Sequence, residues 1–538
     1  MAPCLTPKML RAKLNLPRYD MIGVVQGRMS QVMRAGMILA LAVPALAGDP
    51  RCADCHPKEV SGYAQSAMAH SLSKPAAQPE GSFEHAFSKT RFTIHSSASG
   101  VVQRFERGGE SGEQKVAFVI GSGVHAYGYL VQVGDQLFQS PLSYYSTRHL
   151  WDVAPGYEES RSPDFSRPVT LECVLCHAGK PQLIPDTLNR YQTPAFLEES
   201  ISCDRCHGPG EAHEKRPLPG SMVNPAKLQG AARDSICEQC HLAGEVRIPN
   251  PGKSMADFQP GQRIEEAYTI YVAAQPAGGT LKVISHAEQL ALSMCARKSG
   301  GRLWCGSCHN PHETPVQPAA YFRERCLRCH GATLEKPHAA PGRDCVACHM
   351  QRLPARDGGH TVFTDHRITR RQGPRSDTGG QANLAAWREP EPRLRDRNLA
   401  MALVSVGLQN ESSAEVIRGY RMLNQVEKDF PDDPAVLTSL GTVLLRAKQP
   451  AEALLRFEKV LLLRPAYAPY EVNAASALIA AGRKAEAVRH LERALELDPL
   501  LEQAVELLSG LYKDQGDGAK AARLIARYQH DMGITAVQ

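Results

Sequence analysis

The chain contains the pattern Cys-x-x-Cys-His seven times, and this repetition constrains its fold more than any other feature. In each copy, two thiols three residues apart precede a histidine whose imidazole can reach an iron held beside them. This is the attachment signature of c-type haem, in which the thiols bond the vinyl groups and the histidine ligates the iron. The seven sites are Cys52/Cys55/His56, Cys173/Cys176/His177, Cys203/Cys206/His207, Cys237/Cys240/His241, Cys305/Cys308/His309, Cys326/Cys329/His330 and Cys345/Cys348/His349.

Two other interpretations of paired cysteines are weaker. A tetrahedral zinc site needs two Cys-x-x-Cys halves and has no reason to place histidine after every pair. A thioredoxin-like redox protein carries one such pair, whereas this chain carries seven. We therefore expect seven covalently bound c-type haems, each ligated by the histidine of its own motif.

The charge of the chain does not indicate a nucleic-acid or membrane-surface partner. The formal net charge is +6 without any cofactor. Haem propionates would make the mature protein acidic or close to neutral, so the basic balance of the polypeptide is not evidence for anionic partners.

The N-terminal segment predicts export. An apolar run from Met37 to Ala47 follows Arg34 and ends in an Ala-x-Ala cleavage pattern, as in a secretory signal peptide. The run is too short to span a bilayer. We expect residues 1–47 to be removed, with the true start at Met29 or Met33. The mature protein would be exported, most simply to a bacterial periplasm, with no transmembrane span.

The C-terminal region repeats every 34 residues, with units beginning near Ala400, Pro434, Ala468 and Glu502. Small residues recur where paired helices would cross, and proline recurs at the closing turn. This pattern predicts about four tetratricopeptide repeats (TPRs), which form an α-solenoid that binds partners on its concave face. The small residues are Gly407, Gly441, Ala475, Ser509, Gly419, Ala453, Ala487 and Ala521; the prolines are Pro431, Pro465 and Pro499.

The remaining segments complete the predicted domain plan. Alternating segments at 91–95, 101–105 and 115–120, and a hairpin turning at Gly134-Asp135, predict a small β insertion. We expect a mainly α protein: a heptahaem domain at 48–366 with little regular structure, a linker at 367–396 and a TPR domain at 397–538. Three motifs crowd between Cys305 and Cys348. The porphyrins must therefore supply much of the buried surface there, and we expect no folding without haem.

The second axial ligand decides the chemistry of each haem. Histidine on both sides favours low-potential electron transfer, and an open side permits substrate chemistry. The residues alone leave the assignments open, but enough histidines are present for every iron. Outside the motifs, eleven lie between residues 49 and 370: His70, His85, His95, His125, His149, His213, His286, His312, His338, His360 and His366.

Several stretches resemble a known family. Among them are "CADCHPKE", "IGSGVHAYGYL", "CDRCHGPGEAH", "CARKSGGRLWCGSCHNPHE" and "HTVFTDHRITRR". They resemble multihaem c-type cytochromes with C-terminal TPRs, whose haem region belongs with tetrahaem cytochromes c, cytochrome c nitrite reductase and hydroxylamine oxidoreductase. The resemblance implies distal ligands at His85, His125, His213, His312, His338, His360 and His366, with His70, His149 and His286 in reserve. His70 competes with His85, because it lies closer to the first motif.

The spare histidine in "WCGSCHNPHE" has a specific expected role. His312 follows His309 by three residues, on the same side of the haem that His309 ligates, so it cannot reach the opposite face of that iron. If it is a ligand, it serves a neighbouring haem. The resemblance supports this role, because nitrite-reductase-like proteins join adjacent haems through CxxCHxxH.

These observations lead to one functional expectation and two alternatives. We expect an electron-transfer protein whose repeats dock a redox partner or a second copy, with no catalytic residue. The first alternative is an oxidoreductase acting on a small nitrogen or sulfur compound, such as nitrite or hydroxylamine, at one open haem; the second is a scaffold with haems as its core. Nitrite reductases replace one motif histidine with lysine, but here Lys298 follows the lone Cys295. Cys295 is a buried apolar residue, a weak iron ligand or a dimer-forming thiol.

Overall fold

The computed structural model describes residues 50–98, 100–273, 281–331, 344–369 and 383–536. The predicted signal segment, His338 and residues 370–382 of the predicted linker lie outside these ranges. No helix among the described residues is long and apolar enough to cross a membrane.

A ten-stranded antiparallel sheet forms the centre of the N-terminal half. Seven strands follow the order β2 to β8, while β1 and β17 pair with β5, and β9 pairs with β7. The strands are β1 Leu72–Ser73, β2 Gly81–His85, β3 Thr90–Ser97, β4 Gly100–Arg107, β5 Glu110–Ile120, β6 Tyr127–Val133, β7 Gln136–Tyr145, β8 Leu150–Val153, β9 Arg167–Pro168 and β17 Ile534–Ala536.

The sheet is larger than the small β insertion that the sequence predicts. The predicted strands and the turn at Gly134-Asp135 are present, with Gly134 at a φ of 60°. However, β7 is buried at nearly every position instead of alternating. A strand that is covered on both faces lies inside the fold, with other parts of the chain packed on either face of the sheet. The strand β7 is therefore an interior part of a large sheet and not one arm of a small surface hairpin.

The motif-bearing segments contain short helices and small sheets. Strands β10 Pro181–Leu183 and β11 Tyr191–Phe196 pair, as do β14 Arg352–Pro354 and β15 Val362–Thr364. A three-stranded sheet joins β12 Val246–Pro249, β13 Tyr268–Ala273 and β16 Leu384–Ala386. The helices are α1 Pro50–Ala53, α2 Pro57–Tyr63, α3 Leu171–Val174, α4 Asp204–His207, α5 Glu211–Lys215, α6 Gly230–His241, α7 His286–Leu292, α8 Met294–Ser299, α9 Pro318–His330 and α10 Cys345–His349.

Four antiparallel helix pairs form the C-terminal region, and the last three units begin at the predicted residues. The first begins earlier, at Arg395. Gly441 shows why small residues recur at the crossings, because a Cβ there would collide with the Phe457 ring. The helices are α11 Arg395–Gln409, α12 Ser413–Asp429, α13 Pro434–Arg446, α14 Pro450–Leu463, α15 Ala468–Ala480, α16 Lys484–Leu497, α17 Glu502–Asp514 and α18 Gly518–Asp531.

The repeats pack directly on the sheet. Strand β17, after the last repeat, pairs with β5, and Gln136 in β7 donates to the Asp498 carboxylate at 2.9 Å. The described part of the predicted linker is also ordered into the fold, since β16 pairs with β13. The repeats are thus a fixed part of the molecule and not an appendage on a free tether.

Candidate functional site

The Cys-x-x-Cys-His motifs adopt helical turns. The backbone N–H of the motif histidine donates to the carbonyl of the first cysteine in the first, third and fifth motifs, at 2.8, 3.0 and 2.9 Å. The fourth and sixth motifs close the longer helices α6 and α9. Residues i and i+3 of a helical turn share a face, so both thiols of a motif lie on one side of the chain.

The fourteen predicted anchor cysteines are not equivalent in the structure, although the sequence pattern treats them alike. The second cysteines of the first, sixth and seventh motifs, Cys55, Cys329 and Cys348, are exposed, whereas the other eleven are partly buried. The residues around these cysteines are exposed in the same way. His56 beside Cys55 is also exposed, and α9, which carries Cys329, buries none of its residues. The protein itself therefore encloses the second, third, fourth and fifth motifs more fully than the other three.

Three motif histidines face a histidine from a different segment. His56 faces His213 with ring centres 6.4 Å apart and planes 22° apart. His207 faces His312 at 5.9 Å and 19°. The rings of His309 and His366 are 6.2 Å apart, with their planes at 31°. The three partners that lie outside the motifs, His213, His312 and His366, belong to the seven that the resemblance implies as distal ligands.

The separation of these pairs fits a metal ion between the rings. A ligating imidazole nitrogen lies about 2 Å from its metal, so two imidazoles on opposite sides have ring centres about 6 Å apart. The two ring planes of each pair are inclined to one another by no more than 31°. Each pair could therefore hold one iron.

Hydrogen bonds at Nδ1 orient several of these rings. His207 bonds the carbonyl of Val223 at 2.8 Å, and His213 bonds the Ser221 hydroxyl at 2.7 Å. His366 bonds the carbonyl of Thr364 at 2.9 Å. Such bonds fix the tautomer of a ligand histidine and leave Nε2 for the metal.

The loop that carries His312 is built against α2. A Cβ on Gly62 would collide with the His312 carbonyl oxygen, so only glycine permits this approach. The backbone N–H of His312 donates to the Asn310 side chain at 3.1 Å, and the Thr314 hydroxyl donates to the Gln65 carbonyl. The spare histidine follows the fifth motif in sequence but faces His207 of the third motif.

His286, a reserve ligand in the sequence interpretation, lies close to a motif histidine and to a second proposed ligand. Its ring centre lies 5.3 Å from His241 of the fourth motif and 4.9 Å from His366, at steep angles in both cases. Burial lowers the pKa of His286 to about 3, with further lowering by neighbouring histidines. Its imidazole is therefore neutral at physiological pH, as a ligand must be. The sequence signal was its position at the start of the helix-like stretch 285–298.

Three other proposed ligands that the structure describes, His85, His125 and His360, have other neighbours. Both ring nitrogens of His85 are hydrogen-bonded, to Ser88 and to the Glu158 carbonyl. His360 bonds the Asp152 carboxylate at 2.6 Å, and His125 packs on Phe363 at 4.4 Å. Of the other reserves, His70 bonds the Ala64 carbonyl and His149 is exposed.

Contacts between thiols of different motifs show which sites are neighbours. Cys176 contacts Cys240, which joins the second motif to the fourth. The fourth and fifth motifs meet through Cys237 and Cys305, and the sixth and seventh through Cys326 and Cys345. Together with the histidine pairs, these contacts order the motifs in space, which the sequence left open.

A buried ion-pair cluster near the fourth motif was not anticipated from the sequence. Arg388 pairs with Glu238, inside the motif, and with Glu265 at 2.9 Å. The Trp387 indole N–H also donates to Glu238 at 3.0 Å. These partners are distant in sequence, and no local pattern marks them.

Among the described residues, no group of three or more His, Cys, Asp or Glu side chains is arranged to hold a metal ion. A haem iron differs from such sites because the macrocycle supplies most of its ligands and the protein supplies the axial ones.

Comparison with known proteins reveals relatives of the repeats. No family model matches the chain. The inactive TPR repeat-containing thioredoxin TTL3 of Arabidopsis thaliana is 33% identical over 94 residues, 18% of this chain and 14% of the relative. The TPR repeat-containing thioredoxin TTL4 of the same plant is 30% identical over 119 residues, 22% of this chain and 17% of the relative.

A solved structure of MamA residues 41–end from Desulfovibrio magneticus RS-1 is 21% identical, with a TM-score of 0.23, and the match covers 25% of this chain and 77% of MamA. The chain spans less than a fifth of the length of the two thioredoxin relatives. Together with the 34-residue register and the four helix pairs, the two relatives identify the C-terminal region as tetratricopeptide repeats.

Proposed function

We propose that the protein is an exported, periplasmic multihaem c-type cytochrome that transfers electrons through seven haems, and that its repeats dock a redox partner. The haem supplies reversible one-electron chemistry. The chain supplies the covalent anchors, the axial histidines and the arrangement of one site beside the next. The repeats support the docking role because TPR solenoids present extended binding surfaces.

The observation that carries the proposal is the set of histidine pairs. His213 lies just after the third motif but faces the histidine of the first, and His312 lies just after the fifth motif but faces the histidine of the third. Each segment thus supplies one ligand to its own site and one to a neighbour. A haem at each position would be tied to the next by a few residues of chain, as an electron-transfer series requires.

The packing of residues 281–369 supports a cofactor-built interior. In the described part of this segment, only Leu281 and Ala355 are buried hydrophobic residues. Helix α9 has thirteen residues and buries none of them. An isolated helix of this length is only marginally stable in water, so its stability must come from packing. Haem macrocycles would supply the apolar surface that the side chains do not.

The first experiment determines whether haems are attached and paired. Intact mass should show seven covalent haems. In His312→Ala, all seven should remain attached while one haem loses its low-spin spectrum, because its iron loses one imidazole. His95→Ala, which removes an exposed histidine of the sheet, is the matched control and should change nothing. An unchanged spectrum in His312→Ala would contradict the pairing with His207.

One observation at the second motif favours the enzyme alternative. Among the described residues, no imidazole or aromatic ring contacts His177 of the second motif, and its buried Nδ1 has no hydrogen-bond partner. A haem there would have an open face for nitrite or hydroxylamine. Electron paramagnetic resonance separates the two functions: uniformly low-spin haem supports electron transfer alone, and a high-spin haem that binds nitrite supports an enzyme.

A further inference from the structure

The second repeat exposes two leucines at positions where the other repeats carry charged or polar side chains. On α14, Leu455 and Leu462 are 63% and 84% exposed. They are seven residues apart and therefore lie on one face of the helix. We call this pair the leucine patch. In the 34-residue register, the position of Leu455 is taken in the other repeats by Arg421, Arg489 and Arg523, and that of Leu462 by Lys428, Glu496 and His530, all of them exposed. The patch is thus a departure from the repeat pattern and not a general property of these helices.

The second helices of the neighbouring repeats lie on either side of α14. Arg456 of α14 pairs with Glu427 of α12 at 3.2 Å. On the other side, Glu458 of α14 lies close to Arg483, the residue before α16. The helices α12, α14 and α16 therefore lie side by side, and equivalent positions on them form a row across the outer surface of the repeats.

Arginines border the leucine patch on both sides. Arg421 of α12 and Arg489 of α16 occupy the register position of Leu455, and Arg418 lies one turn before Arg421. Within the part of the chain that the structure describes, no carboxylate lies within ion-pair distance of Arg418 or Arg421, and both are exposed. Arg489 is 75% exposed, with Glu486 at 3.7 Å. An apolar centre between positive flanks is complementary to a surface that combines apolar side chains with carboxylates.

The first helices of the central repeats offer less surface for docking. Only Arg446 of α13 and Ala480 of α15 are exposed, and the other residues of these two helices are buried or half-buried. TPR solenoids usually bind partners on the concave face, which the first helices line. In this chain the outer face is the more open one, because α14 alone exposes Ala451, Glu452, Leu455, Glu458, Leu462 and Leu463.

Two other occupants fit the patch less well than an acidic protein. A second copy of the chain would bring the same face onto itself across a twofold axis. Its Arg421 and Arg489 would then meet these same arginines, and like charges repel. A lipid surface takes up a continuous apolar face, whereas the leucine patch belongs to one helix and has charged neighbours in the same row.

We propose that the leucine patch docks an amphipathic helix of a partner protein, one that carries apolar side chains seven residues apart with acidic residues beside them. This inference rests on the docking role in the proposed function. Seven residues of a helix rise about 10.5 Å, so apolar side chains two turns apart in the partner each meet one leucine. The acidic side chains pair with Arg418, Arg421 and Arg489, which bind carboxylates well because the guanidinium is planar and always charged.

The test is a fluorescence anisotropy titration of the full chain with a labelled helical peptide that carries leucines seven residues apart and glutamates beside them. Leu455→Gln with Leu462→Gln should weaken binding by about tenfold or more, because two apolar contacts are lost. Arg421→Gln with Arg489→Gln should weaken binding at low salt and reduce its dependence on salt. Leu197→Gln is the control, because Leu197 is 60% exposed but lies outside the repeats; it should leave the affinity unchanged.

Three results would overturn the inference. The first is no binding of the peptide, or equal binding by the wild type and the double leucine variant. The second is binding of phosphatidylglycerol vesicles that the leucine changes abolish, which would make the patch a lipid surface. The third is a wild-type dimer that the same changes convert to a monomer, which would assign the patch to a second copy. Should the double variant not fold, Leu462→Gln alone provides the comparison. A wild type without covalent haem would refute the electron-transfer proposal instead, and the peptide titration, which has no haem signal, would still decide the docking site.

Discussion

Residues 281–369 and the repeats from 395 onward build their interiors from different materials. The repeats bury a continuous series of Ala, Leu and Val side chains, many of them fully inaccessible. The described part of the earlier segment contains one helix of comparable length, α9, but buries almost no apolar side chain, and histidines and cysteines are concentrated there instead. The comparison shows that one region carries its own hydrophobic core, while the described part of the other buries too few apolar side chains to form one.

The largest expected effect comes from removing one pair of anchor cysteines in residues 281–369. Cys305→Ser with Cys308→Ser should reduce the haem count by one and open residues 281–369 to protease, because a covalent cofactor couples binding to folding. The repeats should remain intact, since their core contains no motif residue. Mass spectrometry of limited digests measures both effects.

Cys295→Ser is the matched control for that variant, since Cys295 lies in the same segment but outside any Cys-x-x-Cys-His motif. It should retain seven haems and the wild-type digestion pattern. A protease-resistant 281–369 segment in the double variant would contradict a cofactor-built interior.

Local elements of the fold were predictable from the sequence, whereas the contacts between distant segments were not. Alternation at Phe92 and Ile94 marks a strand, and recurrence of glycine or alanine every 34 residues marks the crossings, because both depend on near neighbours. The pairing of His213 with His56 depends on how distant segments meet. The same holds for the extent of the sheet, since β17 comes from the far end of the chain and pairs with β5.

The next effect tests the packing of the first repeat against β12. Arg397 is 1% exposed and pairs with Asp433 at 2.7 Å while also donating to the Pro249 carbonyl of β12. Asp433→Asn keeps the N-cap of α13, for which asparagine is equally suited, but leaves the buried cation without a counter-charge. We expect a loss of about 3–5 kcal/mol in the free energy of unfolding of the repeats.

Asp432→Asn is the adjacent control. Its carboxylate is largely exposed and pairs with Lys459 at the surface, so its removal should cost less than about 1 kcal/mol. Urea unfolding followed by far-UV circular dichroism measures both variants. Equal effects at the two positions would show that Arg397 does not depend on Asp433.

A core truncation tests whether the repeats are self-sufficient. Leu491 in α16 is fully buried, and Leu491→Ala should lower the free energy of unfolding of the repeats by about 2–5 kcal/mol. Leu455→Ala on α14, where the side chain is 63% exposed, should change it by less than about 0.5 kcal/mol. Neither change should alter the haem spectrum; a shifted spectrum in Leu491→Ala would show that the two interiors are not independent.

The smallest effect concerns a single methyl group at a helix crossing. Gly441→Ala places a Cβ against the Phe457 ring, so α13 and α14 must separate. Overpacking of this kind costs about 1–3 kcal/mol. Gly510→Ala is the matched change on α17, where nothing lies within 4 Å of the added carbon, and it should stabilise the helix by about 0.5–1 kcal/mol. Opposite signs for the same substitution would show that side-chain packing, and not helix propensity, determines where small residues occur in the repeats. The urea unfolding midpoints of the two variants measure that difference.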